Sequence, residues 1–143
     1  IELFTSLGIF TEAEVFARKS ILLELYTGVV EMEAQLFIDM SNQQIIPALV
    51  SAGVGGAGNG IGSHGIGSGD FKKYLTGVKS VTSGLEAIHN CEDEEEKASL
   101  ARTLRLETMV EARKACDDLE ALCPTSFWPI ATYKELLFMD MDI

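Results

Sequence analysis

From residue 15 to residue 46, apolar side chains recur at the three-and-four spacing of a helix. Val15, Leu22, Val29 and Leu36 repeat every seven residues, and Phe16, Leu23, Val30 and Phe37 repeat beside them. Leu25, Tyr26, Met32, Met40 and Ile46 widen this stripe, and so broad an apolar face implies burial against more than one neighbour. Thr11 and Glu14 have capping-box spacing: the hydroxyl serves a first-turn N–H while the carboxylate reaches back to the Thr11 N–H. Phe10 and Val15 stand where a hydrophobic staple forms. Pro47 lacks an N–H and clashes with the preceding turn, so it ends or bends the helix. A helix from Thr11 to about Leu49 reaches about 58 Å at 1.5 Å per residue, more than the width of a domain this size. One end is therefore expected to overhang and pack on something else. Residues 1–10 read as a lead-in segment with a turn at Gly8.

A second helix is predicted over 70–90, where Phe71, Leu75, Val78, Val81, Leu85 and Ile88 form one buried face. Gly77 and Gly84 share a face of it, and they mark either close approach of another helix or a weak helix. The acid run Glu92–Glu96 opens a third helix over 92–123, at the positive end of its dipole. Ala101, Leu104, Thr108, Ala112, Ala115, Leu119 and Leu122 line that helix, small enough in several places to admit a close neighbour, and Pro124 stops it. Its alternating Lys, Arg, Asp and Glu read as a solvated, ion-paired face. Between the first two helices, residues 51–69 read as a glycine-rich, low-complexity connector. Gly53–Gly58 matches G-x-G-x-x-G, but the dinucleotide mechanism needs a strand before the motif and a helix directly after it, and neither is predicted here. Residues 124–143 form an aromatic tail in which Thr132 and Glu135 make a second capping box, so a short helix starts at Tyr133. The tail is expected to lock across the bundle or to dock on a partner.

The chain has 143 residues, enough for one domain with a single core. Its 22 acids and 11 bases leave a formal charge of −11, which argues against nucleic acid and against an anionic membrane surface. No apolar run is long enough to span a bilayer and no signal segment opens the chain. The start at Ile1 rather than Met reads as a fragment or a processed product. Three cysteines, Cys91, Cys116 and Cys123, without a C-x-x-C, fit reduced thiols inside a cell better than a disulfide framework. Cys116 and Cys123 read as small buried apolar residues on one helix face. His64 and His89 are too few for a zinc site, and His89 and Asn90 read as a helix C-terminus. No Ser/His/Asp constellation and no activated cysteine is recognisable. Asp39 lies in an apolar stretch, and burial of its charge calls for a structural or interface ion pair rather than a catalytic role.

Two segments go beyond pattern. Gly8-Ile9-Phe10-Thr11-Glu12-Ala13-Glu14-Val15, with Arg18, Ile21, Leu22, Leu23, Glu24 and Tyr26, resembles a segment near the end of type III glutamine synthetases. So do Glu33-Ala34, Ile38-Asp39-Met40 and Ile45-Ile46-Pro47-Ala48. The run Trp128–Phe138 is similar to that family's terminal W-P-x-P-T-Y-x-x-L-L-F signature, with Ala131 in place of the usual second proline. The resemblance covers about residues 8–50 and 119–138, and the glycine-rich connector looks like a lineage-specific expansion outside it. It implies a helical domain that follows the catalytic body of a large oligomeric ligase, which makes glutamine from glutamate, ammonia and ATP with magnesium. None of the family's active-site motifs maps onto this chain, so no catalytic, cofactor or metal residue carries over.

The resulting expectation is an all-α, antiparallel bundle of three main helices plus a short C-terminal helix, forming one domain over 1–143. Arg18, Tyr26, Asp39, Trp128, Tyr133, Leu137 and Phe138 are its packing or interface candidates. The resemblance implies a structural or assembly role, with the catalytic body of the same chain and neighbouring subunits of a homo-oligomer as partners. It places the protein in the cytoplasm, with a plastid as the alternative. A free-standing helical interaction module is the rival reading, and a ligand sensor with a pocket inside the bundle lacks a convergent polar set.

Overall fold

The computed structural model describes residues 1–53 and 67–138. The G-x-G-x-x-G match after Gly53, His64 and most of the glycine-rich connector therefore lie outside the described residues, as does the end of the tail beyond Phe138. Every regular element among the described residues is helical. Helix α1 (Glu2–Ser6) leads into α2 (Glu12–Met40), and a π-helical turn at Ser41–Ile45 joins α2 to α3 (Ile46–Ser51). Then come α4 (Ser68–Asn90) and α5 (Glu94–Thr103), a second π turn at Leu104–Thr108, α6 (Met109–Leu122) and the short α7 (Tyr133–Leu137).

Two clusters of buried side chains give the bundle its direction. One collects Ile45, Leu49, Phe71, Tyr74, Val78, Ala115, Leu119, Cys123 and Trp128. The other collects Val30, Ala34, Val81, Leu85, Ile88, Ala101, Leu104 and Ala112. Chain order runs from the second cluster to the first in α2–α3, back in α4, and forward again in α5–α6. The three long helical runs thus alternate up, down and up, as the antiparallel expectation required.

Glycine decides how closely two of these runs approach. A Cβ on Gly77 would lie 3.1 Å from the Ala112 Cα, and one on Gly84 would lie 2.8 Å from the Leu104 Cδ1. The two glycines therefore mark close approach of α4 to the third run, and the alternative of a merely weak helix falls away. Ala112 and Ala115 are buried at the same contact, so small residues on both sides bring the backbones together.

The expected single helices are interrupted. Pro47 does not end the first run; it sits in the opening turn of α3, and the π turn lies immediately before it. Proline offers no N–H to the residue four back, and a widened turn absorbs that missing bond. The extra residue also rotates the apolar stripe. Thr27, Val30, Ala34 and Ser41 are buried ahead of the shift, and Ile45, Leu49 and Ala52 follow it at steps of four, four and three. The lead-in segment also differs from expectation, because residues Glu2–Ser6 close a short helix before the turn at Gly8, whose φ of 64° suits glycine.

Both capping boxes form. Thr11 and Thr132 each accept an N–H from the residue three on and receive a carboxylate in return. Glu94, Glu95 and Glu96 stand in the first turn of α5, at the positive end expected for the acid run, while Asp93 lies just before the helix and caps it by accepting from the Glu96 N–H at 2.8 Å.

Candidate interface surfaces

The first helical run overhangs the bundle as its length required. Glu31, midway along α2, already faces His89 at the end of α4, with Oε1 3.5 Å from Nε2. Lys19, three turns earlier, reaches the Glu95 carboxylate at the start of α5. No residue of α2 before Thr27 is buried. The broad apolar stripe splits accordingly. Thr27, Val30 and Ala34 face the bundle, while Ile21, Leu22, Leu25, Met32 and Leu36 face outward. Burial against more than one neighbour is confined to the second half of the helix, where Val30 and Ala34 pack with Val81, Leu85 and Ile88 of α4 and with Ala101 of α5.

The lead-in elements extend this exposed surface. Leu3, Phe4, Leu7 and Ile9 are exposed, and the Phe4 and Phe10 rings meet at a centroid separation of 5.9 Å. Arg18 lies with its guanidinium carbon 4.3 Å from the centre of the Phe10 ring, a cation–π contact that ties the lead-in to α2. Hydrogen bonds from the Thr11 N–H and hydroxyl, both 2.8 Å, hold the Glu14 carboxyl below its ordinary pKa. The same arrangement at Thr132 lowers Glu135.

The aromatic tail divides between the two roles expected of it. Trp128 is buried with Leu49, Phe71 and Leu119, although its indole N–H finds no acceptor among the described residues. Beyond it, three polar contacts and the Arg113 guanidinium over the Tyr133 ring hold α7 to α6. Arg113 Nη2 donates to the Tyr133 hydroxyl at 2.5 Å, that hydroxyl donates to Asp117 at 3.3 Å, and the Tyr133 N–H donates to Glu120 at 3.3 Å. Leu136, Leu137 and Phe138 remain exposed, Leu137 by 79%.

Asp39 is placed differently from expectation. It is only half-buried, it accepts a hydrogen bond from the Gln35 side chain at 3.0 Å, and it has no ion pair among the described residues. The charge pair of this region belongs instead to Glu33, whose carboxylate meets Arg105 at 3.3 Å. An aspartate exposed enough to be hydrated does not require a counter-charge. Tyr26 is half-buried against the Val30 cluster. The interface candidates thus lie apart: Arg18 and Asp39 near opposite ends of α2, Trp128 in the core, and Tyr133, Leu137 and Phe138 on the tail.

The pattern of apolar positions missed the buried polar group that joins the first two helical runs. The Tyr74 hydroxyl donates to Ser41 Oγ at 2.7 Å, and Ser41 in turn donates to the Phe37 carbonyl at 2.7 Å. Burial raises the Tyr74 pKa. Tyr74 stands three residues after Phe71 and four before Val78, so the helical spacing placed it on the buried face. Cys116 borders the same group, and burial, with Asp117 adjacent, pushes its thiol up to about 11. Cys123 is raised by burial as well. An open groove of about 350 Å³ lies nearby, lined by Phe37, Met40, Met109, Val110 and Ile130. The charges at its edge are already paired, Glu33 with Arg105 and Arg113 with Asp117. Among the described residues no group of three or more His, Cys, Asp or Glu side chains is placed to hold a metal ion.

The comparisons fall on the overhanging half and on the whole chain alike. Residues 1–53 match the family model of the glutamine synthetase C-terminal domain. A glutamine synthetase of Butyrivibrio fibrisolvens is 30% identical over 154 aligned positions, which cover 96% of this chain and 22% of that protein. A type-3 glutamine synthetase of Dictyostelium discoideum is 27% identical over 158 positions, covering 97% and 22%. The chain spans about a fifth of the length of the curated relatives it matches.

Proposed function

We propose, from a chain that carries the C-terminal domain of the glutamine synthetase family, that it serves as the assembly domain of a type III enzyme. The observation that carries this reading is the coincidence of two features in one segment. Residues 1–53 hold the family match, and they also hold most of the large apolar side chains left exposed, from Ile1 through Val50. A contiguous exposed apolar surface of this kind marks an interaction site.

In this reading the catalytic body of the parent forms glutamine from glutamate, ammonia and ATP with magnesium, and the helical domain performs no chemistry. Its partners are that catalytic body and neighbouring subunits of a homo-oligomer in the cytoplasm. Among the described residues no helix is long and apolar enough to cross a membrane. The domain stabilises the assembly by burying the overhang of α2 and the apolar end of α7.

The test is made on the parent enzyme. One variant is truncated before the position of Thr11, and another carries Leu22→Glu with Leu137→Glu, both at exposed sites that leave the bundle core unchanged. Both variants are expected to lower the oligomer mass seen by light scattering or to lower the melting temperature of the assembly. Normal mass and melting in both variants would refute the reading.

A further inference from the structure

The outward face of α2 is self-complementary. At about 100° per residue, Arg18, Ile21, Leu25, Gly28, Val29, Met32, Leu36 and Asp39 fall on one stripe about 100° wide. That stripe lies about 180° around the helix from Thr27, Val30 and Ala34, which face the bundle. Ile21, Leu25, Met32 and Leu36 each keep between 60% and 67% of their surface exposed. Read outward from the Gly28–Val29 peptide in both directions, the stripe is a chemical palindrome with one change of sign. Gly28 answers Val29, Leu25 answers Met32, Ile21 answers Leu36, and Arg18 answers Asp39.

We infer that this face docks on the same face of a second copy, with the two α2 helices antiparallel about a two-fold axis at Gly28–Val29. A two-fold interface requires that residue i meets j while j meets i, and this stripe meets that requirement at every level. Each apolar layer receives one side chain from each copy at opposite offsets from the seam, as interdigitation of antiparallel helices demands. Gly28 has nothing within 4 Å of where a Cβ would stand, so the centre of the face is a notch that lets the backbones approach. The two charged ends close the apolar layers with an Arg18–Asp39 pair on each side. Arg18 stays stacked on Phe10, which holds its charge at the end of the seam. A parallel pairing would instead set Arg18 against Arg18 and Asp39 against Asp39, so the charges select the antiparallel arrangement. This inference deepens the assembly reading by naming the face and the partner.

The test uses the intact 143-residue chain and sedimentation equilibrium. The mass is expected to rise with concentration to twice the 15.5 kDa of one chain and to stop there. Leu25→Glu is expected to return it to a single chain with an unchanged helical circular dichroism spectrum. Arg18→Asp alone is expected to weaken the dimer about tenfold, the scale of a charge reversal at an interface. Arg18→Asp with Asp39→Arg is expected to restore it, because the swap rebuilds both pairs. A single-chain mass at all concentrations, a dimer indifferent to Leu25→Glu, growth beyond two chains, or failure of the double swap to restore would each overturn the inference. A single-chain mass here, with assembly of the parent still dependent on this domain, would remove the two-fold face and leave the assembly reading standing. A dimer here, with normal assembly of the truncated parent, would do the reverse.

Discussion

Helices α2 and α4 both carry long apolar stripes, yet the chain treats them oppositely. In α4 the stripe is one side chain wide and wholly consumed: Phe71, Tyr74, Val78, Val81, Leu85 and Ile88 are all buried. Leu75 flanks that stripe half-buried, and Lys72, Lys73, Lys79, Ser80, Ser83 and Glu86 face outward. In α2 only Thr27, Val30 and Ala34 are buried, and an equal apolar face looks away from the bundle. A three-run bundle can cover about one stripe per helix. Apolar residues beyond that stripe serve something other than the stability of this chain.

The largest expected effect separates the two faces of α2. Val30→Glu puts an unpaired charge at a fully buried site and should cost more than about 3 kcal/mol, enough to unfold the chain in a urea titration. Met32→Glu, two residues on, should stay within about 0.5 kcal/mol at concentrations where the chain is unpaired. Equal effects would erase the contrast between the faces.

Next comes the polar group at the centre of α4. Tyr74→Ala empties a fully buried aromatic site and should cost about 3–5 kcal/mol. Tyr74→Phe keeps the ring and removes only the hydroxyl that serves Ser41, so about 1 kcal/mol is expected. Thermal melts of the two variants would separate the packing from the hydrogen bond.

Glycine offers a finer comparison. Gly77→Ala gains helix propensity of about 1 kcal/mol, but its methyl meets the Ala112 backbone, which cannot move aside, so a net loss of about 1 kcal/mol is expected. Gly28→Ala meets nothing within one chain and should stabilise it by about 1 kcal/mol at concentrations where the chain is unpaired. Chemical denaturation gives both signs directly.

The smallest effect is a pH dependence. The Cys116 thiol titrates near 11 in the folded chain and at its ordinary, lower value when unfolded. Between those values the unfolded state binds fewer protons, so stability falls as pH rises through that window and is fully present below it. Replacing Cys116 with Ala should lessen the fall in melting temperature over that alkaline range, with Tyr74 and Cys123, both raised by burial, supplying the remainder. An unchanged slope would mean that the thiol is not shielded by burial beside Tyr74.

Much of this architecture is legible in the residues. The two capping boxes, the limits of α4, the small residues of the third run and the overhang of the first helix all follow from local spacing. Backbone groups at helix ends and apolar periodicity act over one or two turns, which is the range a linear pattern describes. The interface candidates were less legible. Asp39 looked buried because its neighbours in sequence are apolar, but its direction on α2 depends on which stripe the bundle selects. Trp128 and Leu137 belong to one aromatic run, and nothing local separates the side chain that enters the core from the one that stays outside.

By itself the sequence determined the helices, their caps and an excess of apolar surface on the first of them. Only the tertiary structure decided which of two equivalent stripes on α2 is covered. It also decided that a π turn forms just before Pro47, and that Tyr74 is tied to Ser41 in the core between the first two runs. The reason is physical. Helix formation and capping are settled by neighbours a few residues apart, whereas burial is settled by the fit of surfaces far apart in the chain, and that fit exists only once the helices have met.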